Sequence, residues 1–238
     1  MTLDYFSATV KHREAITPSM VRVVLEGADL HRFQSTGRPD EFIWLSFPAA
    51  DHGEEMGRYY TVRRWDAIHR EITIDFVIHE IGIATNWAQR VLEGDQIKLL
   101  PPRFRFNPPS DTQFILLIAD ITGLPAVGRI LEQLPAGFKA IVHVAVPFDA
   151  DRQIIATTAD VCINWYFWRG PKHNRSLYTE LPRIAESITS LPAGPGYVWI
   201  AGEAMAVSKS RKYFRDEFGF EKDQITAVGY WIEGQARV

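Results

Sequence analysis

At 238 residues, with 46% apolar and 23% charged side chains, the chain has the composition of a globular protein and the length for two domains of ordinary size. A net charge of −3 gives a nucleic-acid role no global support, and no apolar run reaches the roughly 20 residues that span a bilayer. The single cysteine, Cys162, excludes an intramolecular disulfide and an all-cysteine iron–sulfur cluster, and Met1-Thr2-Leu3-Asp4-Tyr5 does not read as a signal peptide, so the cytoplasm is the expected compartment.

The first half reads as β. Residues 6–13, 20–26, 42–47, 58–65, 71–79 and 96–100 are rich in β-branched and aromatic side chains, and several alternate in polarity as half-buried strands do. One helix is expected over 84–92, stopped by Gly94. Six strands and one helix predict a six-stranded antiparallel β-barrel over residues 1–108. Asn107-Pro108-Pro109-Ser110-Asp111 then reads as a linker.

Beyond it the period changes. Residues 114–119 are almost continuously apolar, the mark of a parallel strand buried on both faces. Further strands are expected at 140–146, 161–168, 197–201 and 226–231, with helices at 125–134, 177–188 and 204–218. Alternating strand and helix predicts an α/β parallel-sheet domain over 112–238.

The strongest chemical signal is Arg58-Tyr59-Tyr60-Thr61-Val62-Arg63. On a strand Arg58 and Tyr60 share a face, where a guanidinium can grip a pyrophosphate and a phenol ring can lie against a flat heterocycle. Thr61 points the other way unless the strand twists or ends there. Taken alone, the motif reads equally as a surface arginine beside core tyrosines. Asp75-Phe76-Val77-Ile78-His79 follows, then Gly82-Ile83-Ala84-Thr85-Asn86-Trp87 at the expected helix start, where N–H groups and the helix dipole favour phosphate. The bland alternatives are that Thr85 only decorates structure and that Trp87 is core.

These segments resemble the siderophore-interacting proteins, a branch of the ferredoxin–NADP reductase-like superfamily. Ala119-Asp120-Ile121-Thr122-Gly123-Leu124-Pro125-Ala126, Trp199-Ile200-Ala201-Gly202-Glu203-Ala204 and Gly229-Tyr230-Trp231-Ile232-Glu233-Gly234 extend the resemblance, in order, from Arg58 to Gly234. The resemblance implies FAD held by Arg58, Tyr60, Thr61 and Arg63, with Thr61 near the reactive N5. It further implies Val77, Ile78 and His79 along the flavin, and Ala84 and Thr85 at the pyrophosphate. Asp120, Thr122, Gly123, Pro125, Ala201, Gly202, Glu203 and Trp231 fall in the part that takes NAD(P)H. The chain departs from the family at Glu80, Ile83, Ile121 and Pro101-Pro102-Arg103-Phe104.

The implied activity is electron transfer from NAD(P)H through FAD to a ferric siderophore, releasing Fe(II), with no side chain required as general acid or base. Many ferric siderophores are anionic, so Arg63, Arg64, Arg103, Arg105, Lys172 and Arg175 are candidate contacts, and Arg169, Lys172 and Arg175 candidate readers of a 2′-phosphate. For each, a solvated surface charge is the competing reading. Tyr230 or Trp231 is expected either as a movable cover over the flavin or as core. A flavin reductase, an electron donor to a partner protein and a non-catalytic siderophore carrier remain the rival functions. No protein metal site, nucleic acid or membrane insertion is expected, and a monomer is favoured.

Overall fold

The computed structural model describes residues 5–47, 56–79, 82–170, 173–174 and 177–234. They divide into two compact units, with the boundary between Phe104 and Arg105.

The first unit is a curled antiparallel sheet. Its strands are β1 (Phe6–Thr17), β2 (Met20–Glu26), β3 (Phe42–Phe47), β4 (Met56–Thr61), β5 (Arg64–Asp66), β6 (Glu71–Val77) and β7 (Gln96–Leu99), with helix α1 (Ile83–Arg90) before β7. The order is β4-β3-β7-β1-β2-β6-β5. Consecutive strands β4 and β5 lie at opposite ends of this order, joined only by Val62 and Arg63. The sheet must therefore curl until its ends approach. Val10, Val23, Leu25, Ile43, Leu45, Ile72, Ile74 and Leu99 fill its interior.

The expected barrel thus has seven strands rather than six, because the strand expected over 58–65 breaks. The Val62 N–H donates to Glu41 O at 2.8 Å and the Arg63 N–H to Thr73 O at 2.9 Å, so the chain leaves the β3 ladder and joins β6. β1 also runs past residue 13 to Thr17, carried by its hairpin pairing with β2 after a register shift between Val10 and His12.

The second unit comprises β8 (Phe114–Asp120), α2 (Leu124–Gln133), β9 (Lys139–Val146), β10 (Asp160–Phe167), β11 (Arg169–Gly170), β12 (His173–Asn174), α3 (Leu177–Ser187), β13 (Gly196–Glu203), α4 (Ala204–Phe218) and β14 (Ile225–Trp231). Its parallel sheet has the order β10-β9-β8-β13-β14, and β11 pairs with β12 in a short ribbon the sequence did not announce. Every residue of β8 and β13 is buried, as their apolar runs required. The chain order reverses between β8 and β13. Open α/β sheets bind ligands at that switch point, outside the strands' carboxyl ends.

His143 on β9 of this sheet is 8% exposed, with Nδ1 at 2.9 Å from the Tyr166 hydroxyl. Burial pushes the imidazole down to about 4. The unfolded chain takes up that proton near pH 6.5 and the folded chain does not, so stability from this group is complete above roughly pH 6.5 and drains away down to about 4. The slope approaches roughly 1.4 kcal/mol per pH unit. Substituting His143→Leu is expected to flatten the acid limb of a melting-temperature profile between those values. An unchanged limb would show that other groups set it.

Candidate functional site

In the first unit the ladder pairs Arg58 with Leu45 and Tyr60 with Ile43. Cross-strand partners share a face, so both side chains lie on the side of the buried Ile43 and Leu45. Arg58 is half-buried and donates to Gly57 O at 2.7 Å. The Tyr60 ring rests 4.4 Å from Phe76 and 6.1 Å from Phe47, and burial pushes its phenol well above the ordinary tyrosine range, against the pull of Arg58. Thr61 pairs with Phe42 on the opposite face and is the last residue of β4. The alternation of the motif is thus kept, and the strand ends at the threonine.

Helix α1 begins at Gly82 with no side-chain cap on its first N–H groups. At Gly82 a Cβ would stand 2.6 Å from the exposed His79 ring, which would have to shift. Val77 and Ile78 are half-buried and His79 is exposed. The Thr85 hydroxyl donates to Val77 O at 3.2 Å and the residue is 1% exposed. Its hydroxyl ties α1 to β6, leaving the backbone of Ala84 and Thr85 for any anion. Arg13 Nε donates to Ala88 O at 2.7 Å and holds the other end of the helix. Trp87 packs on Phe47 and Phe76 as core.

The cations separate. Arg64 is 71% exposed beside Asp66, and Arg103 is exposed with its backbone bridged to Phe42. Arg63 does not face solvent: its side chain is 12% exposed, with Nε 3.9 Å from Asp75. Asp75 is in turn gripped by Arg22 through bonds of 2.7 and 2.8 Å. That ion cluster was invisible in the motif, because Arg22 lies 53 residues away along the chain. Arg105 is exposed in the second unit. Lys172 and Arg175 lie outside the described residues, and of Arg169 only the strand β11 is described.

In the second unit the switch point is organised by Asp120, the last residue of β8. Its buried carboxylate accepts from Thr122 N at 2.8 Å, the Thr122 hydroxyl, Glu203 N at 3.0 Å and the Trp231 indole N–H at 2.8 Å. Burial pushes its carboxyl up, while these donors pull it back. Gly202 has φ +153°, and a Cβ there would meet Asp120 Oδ2 at 2.5 Å. At Gly123 a Cβ would stand 2.9 Å from the Ala119 methyl and 3.2 Å from that of Ala201. Gly123 opens α2 without a side-chain cap, and Pro125 lies in the first turn.

The Thr122 hydroxyl is bound to Asp120, and the buried Glu203 carboxylate caps α4 by accepting from Ala206 N at 2.7 Å. Trp231 packs, partly buried, against the core cluster of α3 and α4, and its indole N–H is held by Asp120. Among the described residues no three His, Cys, Asp or Glu side chains gather to hold a metal ion.

Family models match almost end to end: the siderophore-interacting FAD-binding domain over residues 9–56 and 51–106, and the siderophore-interacting protein model over 112–234. The chain belongs to the siderophore-interacting protein family. Its first unit is the family's FAD-binding domain, and the protein is a flavoprotein. It is 27% identical to the ferric vibriobactin reductase ViuB of Vibrio cholerae, across 94% of this chain and 88% of the relative. A siderophore utilization protein from T. fusca superposes with TM-score 0.87 at 28% identity, covering 100% of this chain and 96% of that one. A ferredoxin NADP+ reductase from Neisseria gonorrhoeae, solved with FAD and NADP bound, shares the fold at TM-score 0.71 and 13% identity, covering 97% of this chain and all of that one. No helix among the described residues is long and apolar enough to cross a membrane.

Proposed function

We propose that this flavoprotein is an NAD(P)H-dependent ferric-siderophore reductase. The observation that carries the reading is the likeness to ViuB along nearly the whole chain, joined to a sheet that opens at the switch point between β8 and β13. When bound, FAD supplies the conversion between a two-electron hydride donor and a one-electron ferric acceptor.

The chain supplies placement. The uncapped start of α1, kept open by Gly82, fits a pyrophosphate, with Arg58 as its charged partner and His79 beside it. Tyr60, wedged on Phe76, offers a ring of fixed orientation to the flavin, and Thr61 at the strand end is proposed beside N5. Gly123, Ala201 and Gly202 keep the β8–β13 crevice free of bulky side chains, which fits the close approach of a dinucleotide. Trp231, held by Asp120, forms its fixed wall. Arg64 and Arg103 are the proposed captors of an anionic chelate.

Substituting Arg58→Ala is expected to lower flavin affinity roughly 10- to 150-fold, the equivalent of a charge-assisted hydrogen bond worth about 1.5–3 kcal/mol. Flavin content after dialysis checks it, and full retention would remove Arg58 from the site. The function itself is tested by reducing the flavoprotein anaerobically with NADPH or NADH and mixing it with a panel of ferric siderophores while trapping Fe(II). Reoxidation with Fe(II) release is the expected result. A reduced flavin indifferent to every ferric siderophore would end the reading.

A further inference from the structure

The face of α4 turned away from the sheet carries charge that the flavin and crevice sites do not use. Ala206, Val207, Ser210 and Phe214 are its buried residues. On the exposed side Ser208, Lys209, Arg211, Lys212 and Arg215 line a shallow concavity of about 280 Å³. Arg215 lies in the last turn, where a cation suits the helix dipole, and pairs with Asp216 at 2.8 Å. Lys212 lies within reach of the Asp216 charge. Lys209, Arg211 and Lys212 sit in mid-helix, where the dipole gives no reason for them. Glu217 is the other exposed acid on the helix, so four cations face two anions in a chain whose net charge is −3.

We propose that this face of α4 is a peripheral docking surface for an anionic lipid bilayer. Charge complementarity sets the sign of the partner, and the lack of an apolar centre sets its kind. A specific protein interface has a desolvated core with aromatic anchors and is poor in lysine. Here the cations run along about 9 Å of helix, and the aromatic side chains of the same stretch are turned away, Tyr213 to Ile188 O at 2.9 Å and Phe214 into the core. Flexible basic stems over one helix face match a fluid array of phosphates, to which each cation contributes separately. Met205, 52% exposed at the N-terminal end of the same helix, is the unbranched apolar side chain available to enter the headgroup boundary. No part of the surface enters the bilayer core.

The test uses the full-length flavin-loaded protein and sedimentation with vesicles of phosphatidylcholine alone, or of phosphatidylcholine with about one third phosphatidylglycerol. Binding only to the anionic vesicles is expected, weakening steeply between roughly 0.05 and 0.5 M salt as charges are screened. The pair Arg211→Glu and Lys212→Glu is expected to reduce binding roughly tenfold or more, with melting temperature and flavin content unchanged. If the charge reversals disturb folding, Arg211→Gln with Lys212→Gln gives the same comparison at neutral charge. No sedimentation with anionic vesicles, or equal sedimentation of the variants, overturns the proposal. Binding to polyglutamate with the same residue dependence but not to vesicles overturns it too, in favour of an acidic protein.

Discussion

Asp75→Ala is expected to destabilise the first unit by about 3 kcal/mol, within the roughly 3–5 kcal/mol range for breaking a buried ion pair from one side. The carboxylate has no exposed surface and lies between two guanidinium groups, with bonds of 2.7 and 2.8 Å to Arg22 and 3.9 Å to Arg63 Nε. Removing it leaves both cations without this anion. Arg63, 12% exposed, has little access to water, whereas Arg22 is 27% exposed and can turn outward, which holds the loss to the lower end. Arg63 also stands at the crossing from β4 to β5, so the loss is expected to loosen the joint behind the Arg58–Tyr60 motif and lower flavin retention. Urea unfolding of the flavin-free protein measures the stability. A double-mutant cycle with Arg22→Leu separates the pair from the packing. A loss under 1 kcal/mol, or additive effects in the cycle, would show that the cluster is not a coupled unit.

What the sequence showed and what it hid follow from how each feature is encoded. The strands of the second unit were plain because burial on both faces writes an unbroken apolar run, and β8 and β13 are buried at every position. The break between β4 and β5 was hidden because nothing local marks it: Val62 is apolar and fully buried like its neighbours' core partners, and the turn is imposed by Glu41 and Thr73. Site residues divide in the same way. Gly123 and Gly202 stood in the resembled motifs, and a Cβ at either would meet a neighbour closer than 3 Å. The duties of Thr85, Glu203 and Arg63 were not legible, since each side chain answers to a partner outside its own motif. Trp231 and Asp120, 111 residues apart, became one feature only when the fold brought the ends of β8 and β14 together.

Gly202→Ala is expected to lower the melting temperature of the second unit and weaken nicotinamide binding together. At φ +153° an L side chain is strained, and the new methyl would stand 2.5 Å from Asp120 Oδ2 and 2.9 Å from Leu181 Cδ1. Strain of about 1–3 kcal/mol and overpacking of about 1–3 kcal/mol place the loss near 2–6 kcal/mol. The carboxylate has no easy retreat, because its oxygens are held by Thr122, the Glu203 N–H and the Trp231 indole. Moving it breaks the bond that fixes Trp231, so the wall of the crevice shifts as the backbone lifts. The comparison that isolates this chain of effects is Trp231→Phe, which keeps a ring but removes the N–H. That variant is expected to raise the KM for the nicotinamide, cost less stability than Gly202→Ala, and leave flavin content unchanged. Calorimetry with steady-state flavin reduction reads both variants. If Gly202→Ala melted like the native protein, the close approach of Gly202 to Asp120 would not be a constraint on the fold. If Trp231→Phe lost stability but kept its KM, the indole would be core packing alone and would leave the proposed site.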